Sequence, residues 1–289
     1  MGKLGYGQPV SPRILLEVPI TFEVGTEVTH APMIEVAVGG LVTKLILDTG
    51  TTDHVFTTEL ADRVGLDATP GEPGTDSVGA SVPSWTLRMV PAWIGDLDFS
   101  LQDVVAIAGP APFEGWGVGG FLSPQHLHPT AWVVIDLIDQ RLSLLGGEEA
   151  DVGAWVAERF PSLHAVSLER ETGDSTVLVR AAIEPFDPVV TMLDTGGKRT
   201  EFAEAAVPTL RGGAPMESGR GVGGGAAIGF EFADQVLRVG DASLRVPRLL
   251  ARKEIGASQG LVGMDLLRGT VLVVSADPSR PVIWLVPPG

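Results

Sequence analysis

The sequence predicts an all-β protein built as two similar halves, and three observations predict it. Glycine (37) and proline (22) are spread between short apolar runs of Val, Ile and Leu, the spacing of many strands joined by turns. The tripeptide Asp-Thr-Gly occurs twice, at Asp48-Thr49-Gly50 and Asp194-Thr195-Gly196, each time after an apolar run. With 18 Asp, 20 Thr and 37 Gly in 289 residues, chance supplies about 0.16 copies per chain. Further pairs of segments align around these two copies, which marks an internal duplication.

The elements can be justified in order. Residues 33–38 and 45–47 lead into the first aspartate, as residues 177–183 and 189–193 lead into the second. Further on, Gly117-Val118-Gly119-Gly120-Phe121 pairs with Gly260-Leu261-Val262-Gly263-Met264. Strands over 131–136 and 142–145 close the first half, and strands over 270–274 and 282–286 close the second. Turns at Asp139-Gln140-Arg141 and Asp277-Pro278-Ser279-Arg280 join them. The aspartates stand 146 residues apart and Gly120 and Gly263 stand 143 apart, so the register is expected to hold to within three residues. Helix is expected only over 148–160 and 201–210. Two domains follow: residues 1–150 carry the first Asp-Thr-Gly and residues 151–289 the second. Gly146-Gly147-Glu148-Glu149 is the expected hinge, with a short helical connector after it.

Composition bounds the function. A chain of 289 residues buries roughly three-quarters of its unfolded surface, and 44% hydrophobic content argues against disorder. A net charge of −16 makes nucleic acid an unfavourable partner, because phosphates are repelled. With no cysteine there are no disulfides and no thiolate metal sites. No stretch reaches transmembrane length and residues 1–6 lack the apolar core of a signal peptide. The expectation is a cytoplasmic protein without membrane contact, a trimmed export signal staying open. No propeptide is evident ahead of the first half, so activity without processing is expected.

The repeated residues suit acid–base chemistry. An aspartate at the end of an apolar strand is carried into a largely buried place, and the glycine two residues on lets the backbone turn and approach its partner closely. Two carboxyls brought face to face cannot both ionise easily, so they share a proton and offer an acid beside a base. The alternative is a pair of Asx-type turns, where Asp and Gly are common.

On Asp48-Thr49-Gly50-Thr51, Asp194-Thr195-Gly196-Gly197 and Leu261-Val262-Gly263-Met264-Asp265-Leu266-Leu267, the chain resembles the aspartic proteases of the pepsin and retropepsin group. Their dyad is the standard instance of such a shared proton. The resemblance spans nearly the whole chain and implies two β-barrel-like lobes with the active-site cleft between them. It implies Asp48 and Asp194 as catalytic residues, with Thr49, Gly50, Thr51, Thr195, Gly196 and Gly197 supporting the loops. The activity implied is hydrolysis of extended peptides with apolar side chains, by a water held between the aspartates, with no cofactor and no metal. One chain carries both halves, so a monomer suffices, with a peptide or protein as its partner. Gly197 departs from the pattern: Thr51 supplies a hydroxyl and Gly197 none. If Thr51 donates to the outer oxygen of Asp48, Asp194 carries the shared proton more often.

The resemblance also implies a covering β-hairpin. The first candidate is residues 71–85, with Ser77, Val78, Gly79 and Trp85, and then a strand over 86–90. The second is residues 219–225, with Gly221, Val222 and Gly223. Either is open to being an ordinary surface loop, and Trp85 to being a buried aromatic. The G-x-G-x-x-G matches at Gly115 and Gly219 are rejected as nucleotide sites, since neither follows a strand and opens a helix. His126 and His128 lack a third ligand, and His54, just after the first Asp motif, is open to tuning its surroundings but reads first as a surface or packing residue. A peptide-binding module without turnover, which the two retained aspartates argue against and Gly197 keeps open, and a structural β-domain stay as other readings.

Overall fold

The computed structural model describes residues 11–76, 79–171, 175–221, 226–256 and 258–288. Strands dominate, and they form two lobes joined by a six-stranded antiparallel sheet to which both halves contribute. The order across that sheet is Arg13–Pro19, Arg141–Gly146, Trp132–Asp136, Val271–Ser275, Val282–Val286, His164–Leu168. It is palindromic: the central pair has Val134 opposite Val273, and each half adds a second and a third strand outside it.

Both faces of this sheet are covered, so its central strands read as unbroken apolar runs. Trp132, Val134, Leu145, Val271, Val273 and Leu285 pack under the helix Glu149–Arg159, against Val152 and Val156. Those two helix residues are four apart, one turn of a single face. The alternate residues Val133, Ile135, Leu144, Leu272, Val274 and Trp284 face the lobe cores. The position 150/151 falls inside this helix.

In the first lobe, Leu41–Leu47 pairs in parallel with Val118–Leu122, placing Leu47 beside Leu122. In the second, Val189–Leu193 pairs in parallel with Gly260–Val262, placing Leu193 beside Val262. Gly120 lies opposite Phe56, and Gly260 lies opposite Phe202. This pairing corrects the repeat register: Gly120-Phe121-Leu122-Ser123 is the counterpart of Gly260-Leu261-Val262-Gly263, an offset of 140 rather than 143. Matching glycine to glycine misled the alignment, because the hydrogen bonds set Ser123 where the second lobe has Gly263.

The expected helix over 201–210 is also corrected. Glu201–Ala203 is a strand between Gly260–Val262 and Ala242–Arg252, and only Glu204–Ala206 turns as a short 3-10 helix. Tertiary pairing overrides the helical propensity of Glu and Ala there. The helix Thr58–Val64 was not anticipated. Thr57 caps it by accepting the Leu60 N–H at 3.1 Å, and Gly65 closes it in the left-handed region at φ 69°. No helix among the described residues is long and apolar enough to cross a membrane.

Candidate active site

Each aspartate leaves its strand held by one peptide group of the neighbouring parallel strand. The Asp48 N–H donates to Leu122 O and the Asp194 N–H to Val262 O, both at 2.9 Å. The following threonines are fully buried and cross between lobes. Thr49 Oγ1 donates to Leu193 O (2.5 Å) and accepts the Thr195 N–H (3.0 Å). Thr195 Oγ1 donates to Leu47 O (2.7 Å) and accepts the Thr49 N–H (3.1 Å). Both hydroxyls are thus satisfied as donor and acceptor, and the lobes are pinned together beneath the aspartates.

The glycines allow the loops to interleave. A Cβ on Gly50 would stand 2.8 Å from Asp194 Cγ, and one on Gly196 would stand 2.5 Å from Asp48 Cγ. Each carboxyl therefore lies against the backbone of the opposite loop, as close as two peptide chains allow. The Gly50 N–H donates to Asp48 Oδ1 at 2.8 Å. Asp194 Oδ1 accepts two such donors, the N–H groups of Gly196 and Gly197, each at 2.8 Å.

The two carboxyls sit in different fields. Burial, then the charge of Asp194, hold Asp48 well above the usual carboxylate range, against the Gly50 N–H. Burial also raises Asp194, but the Gly197 N–H and the hydrogen bond from Asp48 pull it back. Asp194 accepts two N–H donors and Asp48 one, so hydrogen bonding favours the charged form of Asp194 more. This corrects the expectation built on Thr51, whose Oγ1 donates to the Asp53 carbonyl (3.1 Å) rather than to Asp48. Gly197 lacks a hydroxyl for a steric reason. A Cβ there would lie 2.7 Å from Asp194 Oδ2, and its N–H binds that carboxyl instead.

A second ring of residues braces the first loop. Gln125 Nε2 donates to the carbonyls of Thr51 and Ser175, each at 3.1 Å, and Ser175 Oγ donates to Thr52 O at 3.2 Å. Ser123 Oγ donates to Thr51 O at 3.2 Å. His54 is buried, with Nδ1 accepting the Ser123 N–H at 3.2 Å, so its role goes beyond packing. In the second loop Thr200 stands where the first has His54. Its Oγ1 accepts the Gly263 N–H (3.3 Å) and donates to Asp265 Oδ1 (2.7 Å). Glu201, the counterpart of Val55, is buried and paired with Arg252 at 3.1 Å. Burial pushes its carboxyl up to about 7 against the pull of Arg252. Sequence reading missed His54, Ser123, Gln125, Thr200 and Glu201 as site residues. Counting six and seven residues on from each aspartate would have found three of them.

Both candidate covering segments adjoin paired antiparallel strands. Ala68–Pro70 and Gly74–Thr75 pair back onto Ser84–Val90 and Ser81–Val82, with Asp76 N–H to Ala80 O at 3.0 Å across the bend. Gly79 turns there at φ 81°, open space only for glycine-like backbone. Trp85 is half-buried against the lobe core rather than free. In the second lobe Ala214–Arg220 pairs with Ala226–Val239, and Gly221 follows the first of these strands. Ser77, Val78, Val222 and Gly223 lie outside the described residues. Among the described residues no group of three or more His, Asp or Glu is placed to hold a metal ion.

Comparison with known proteins agrees with this architecture. A family model described as aspartyl protease matches residues 34–148, the first lobe with Asp48. No curated protein sequence matches the chain. Among solved structures the chain is similar to the aspartic proteinase from Irpex lacteus, at 11% identity and a TM-score of 0.56. That alignment covers 94% of this chain and 97% of the other, so the likeness is of the whole bilobal fold. The family match over the first lobe and the likeness of the whole fold support an aspartic protease of the pepsin/retropepsin type.

Proposed function

We propose that the chain is an aspartic endopeptidase that hydrolyses peptide bonds with a water held between Asp48 and Asp194. The observation that carries this is the interleaving of the two loops, which sets each carboxyl against the opposite glycine. The unequal hydrogen bonding supports one division of roles. Asp194, eased by two N–H donors, is the base that takes a proton from the water as its oxygen bonds to the scissile carbonyl carbon. Asp48, kept protonated, donates to the carbonyl oxygen as negative charge gathers there. When the tetrahedral adduct collapses, the carbon–nitrogen bond breaks and the leaving amine takes the proton held by Asp194. The proton returns from the adduct hydroxyl to Asp48, and the dyad ends as it began.

The substrate in this reading is an extended peptide, gripped along its backbone beneath the hairpins, with apolar side chains beside the scissile bond. One chain supplies both aspartates, so no second copy is needed. The high position of Asp48 sets the upper pH limit: activity persists above the ordinary carboxylate range and falls once Asp48 ionises. Digestion of an unfolded protein from strongly acid to neutral pH tests the proposal. Wild type is expected to cut, and Asp48→Asn and Asp194→Asn are not. A folded wild type that binds peptides without cutting them would establish the peptide-binding module instead.

A further inference from the structure

The peptide group between Leu122 and Ser123 is held at both ends. Its carbonyl accepts the Asp48 N–H at 2.9 Å and its N–H donates to His54 Nδ1 at 3.2 Å. The second lobe repeats the arrangement with a different acceptor: the Val262 carbonyl takes the Asp194 N–H, and the Gly263 N–H goes to the Thr200 hydroxyl. A hydroxyl accepts this bond at any pH. An imidazole accepts it only while neutral, because a proton on Nδ1 turns the acceptor into a donor facing another donor.

We propose that His54 is a positioning residue for Asp48, holding the Leu122–Ser123 peptide as a neutral imidazole and releasing it when protonated, so that the acceptor bracing the first loop is itself lost in acid.

The surroundings oppose protonation without preventing it. His54 is 7% exposed, and with Nδ1 accepting, its proton sits on Nε2, which is buried without a hydrogen-bond partner among the described residues. The ring meets Phe99 and His126 edge-on at 6.2 Å and 6.4 Å. The charged groups facing it are His126, on the turn after Ser123, and Asp53 on its own loop, while Arg170 faces His126 from the second half. Burial, then His126, push the imidazole down to about 4, with Asp53 pulling weakly the other way. Below that range the positive ring and the donor clash act together on the peptide that fixes Asp48. His126 Nδ1 lies 3.0 Å from Ser123 Oγ, and since that hydroxyl gives its one proton to Thr51 O, His126 donates to it whether neutral or charged.

The consequence is an acid limit distinct from that of the dyad. The folded-state value lies below the ordinary imidazole value of 6.5. The unfolded chain therefore binds the extra proton first, and stability falls as pH drops through the window between about 6.5 and about 4. His54→Asn places Oδ1 where Nδ1 stands, and His54→Thr copies the second lobe; neither titrates. Thermal unfolding and proteolysis would be followed for wild type and both variants from strongly acid to neutral pH, each scaled to its own maximum. The wild type is expected to lose activity reversibly below about pH 4 while the variants retain theirs to lower pH. Its folding equilibrium is expected to drop on the order of a hundredfold relative to theirs across the window. Superimposable profiles for all three proteins overturn the proposal. The activity readout rests on the peptidase reading, but the unfolding curves do not. Absence of cutting by any of them, with diverging unfolding curves, would sink the peptidase and leave His54 standing. Should the variants fail to fold, the wild-type His54 ring signal decides by NMR: a midpoint near 6.5 overturns the proposal and one near 4 supports it.

Discussion

The two aspartate loops share one backbone plan and differ in what surrounds it. Both end a strand on a parallel neighbour, both cross-link through a buried threonine, and both use glycine to reach the opposite carboxyl. The first then carries Thr51, His54 and Val55, and the second carries Gly197, Thr200 and Glu201. The hydrogen bonds that must be made in a buried loop are the same twice over, so backbone geometry is tied by symmetry. Charge is not so tied. The second loop gives its aspartate an extra N–H donor, and the first leaves its aspartate with a raised pKa and a histidine brace. Duplication of the scaffold thus permits two carboxyls with different hydrogen-bond partners, while their proximity alone is enough for a shared proton.

The comparison can be broken at four points, from the largest effect down. In the proposed mechanism Asp194→Asn removes the base and Asp48→Asn the acid, and each is expected to lower turnover by about a thousandfold or more. Measured turnover within tenfold of wild type for either variant, about 1.4 kcal/mol, would end the two-carboxyl reading. Next come the close approaches. Gly196→Ala drives a methyl to 2.5 Å from Asp48 Cγ and Gly50→Ala one to 2.8 Å from Asp194 Cγ. Each is expected to cost about 1–3 kcal/mol of stability, more at Gly196, in denaturant melts. Equal, negligible costs would mean the loops stand further apart than described.

Thr49→Val and Thr195→Val each strip a buried hydroxyl that donates across the lobe boundary and leave the opposite N–H unpaired. About 1–2 kcal/mol is expected from each, and nearly the same from both, because their bonds mirror one another. A large inequality in their melting points would show that one lobe alone carries the join. The smallest effect concerns Glu201. Its carboxyl is raised from 4.5 to about 7, so the stability it contributes is full below 4.5 and is lost as pH rises through about 7. Glu201→Gln mimics the protonated carboxyl and is expected to flatten that slope by about 1 kcal/mol, visible as unfolding midpoints that match wild type in acid and exceed it toward alkaline pH. A pH-independent gap would place the pair with Arg252 above burial as the controlling influence.

Much of the fold was legible because apolar runs report burial on both faces of a strand. The runs at 189–193 and 282–286 became the strands Val189–Leu193 and Val282–Val286 residue for residue. The segment 148–160 became the helix Glu149–Arg159, with one apolar face. Composition misled where pairing decided. Residues 201–210 look helical by propensity, yet Glu201–Ala203 is fixed as strand between two others. Ser123 escaped notice because the sequence offered Gly120 as the better match to Gly263.

The sequence by itself determined the duplication, the strand-ending aspartates and the glycines beside them, because each of these is a local demand: an apolar run to be buried, and a backbone to be left bare. Tertiary structure alone decided that Asp194 gains a second N–H donor, that Thr51 turns away to Asp53, and that His54 rather than a hydroxyl braces the first loop. Those outcomes depend on which groups from distant segments arrive within hydrogen-bonding distance. Electrostatics at that range is set by distance and burial, neither of which is written in the order of residues along the chain.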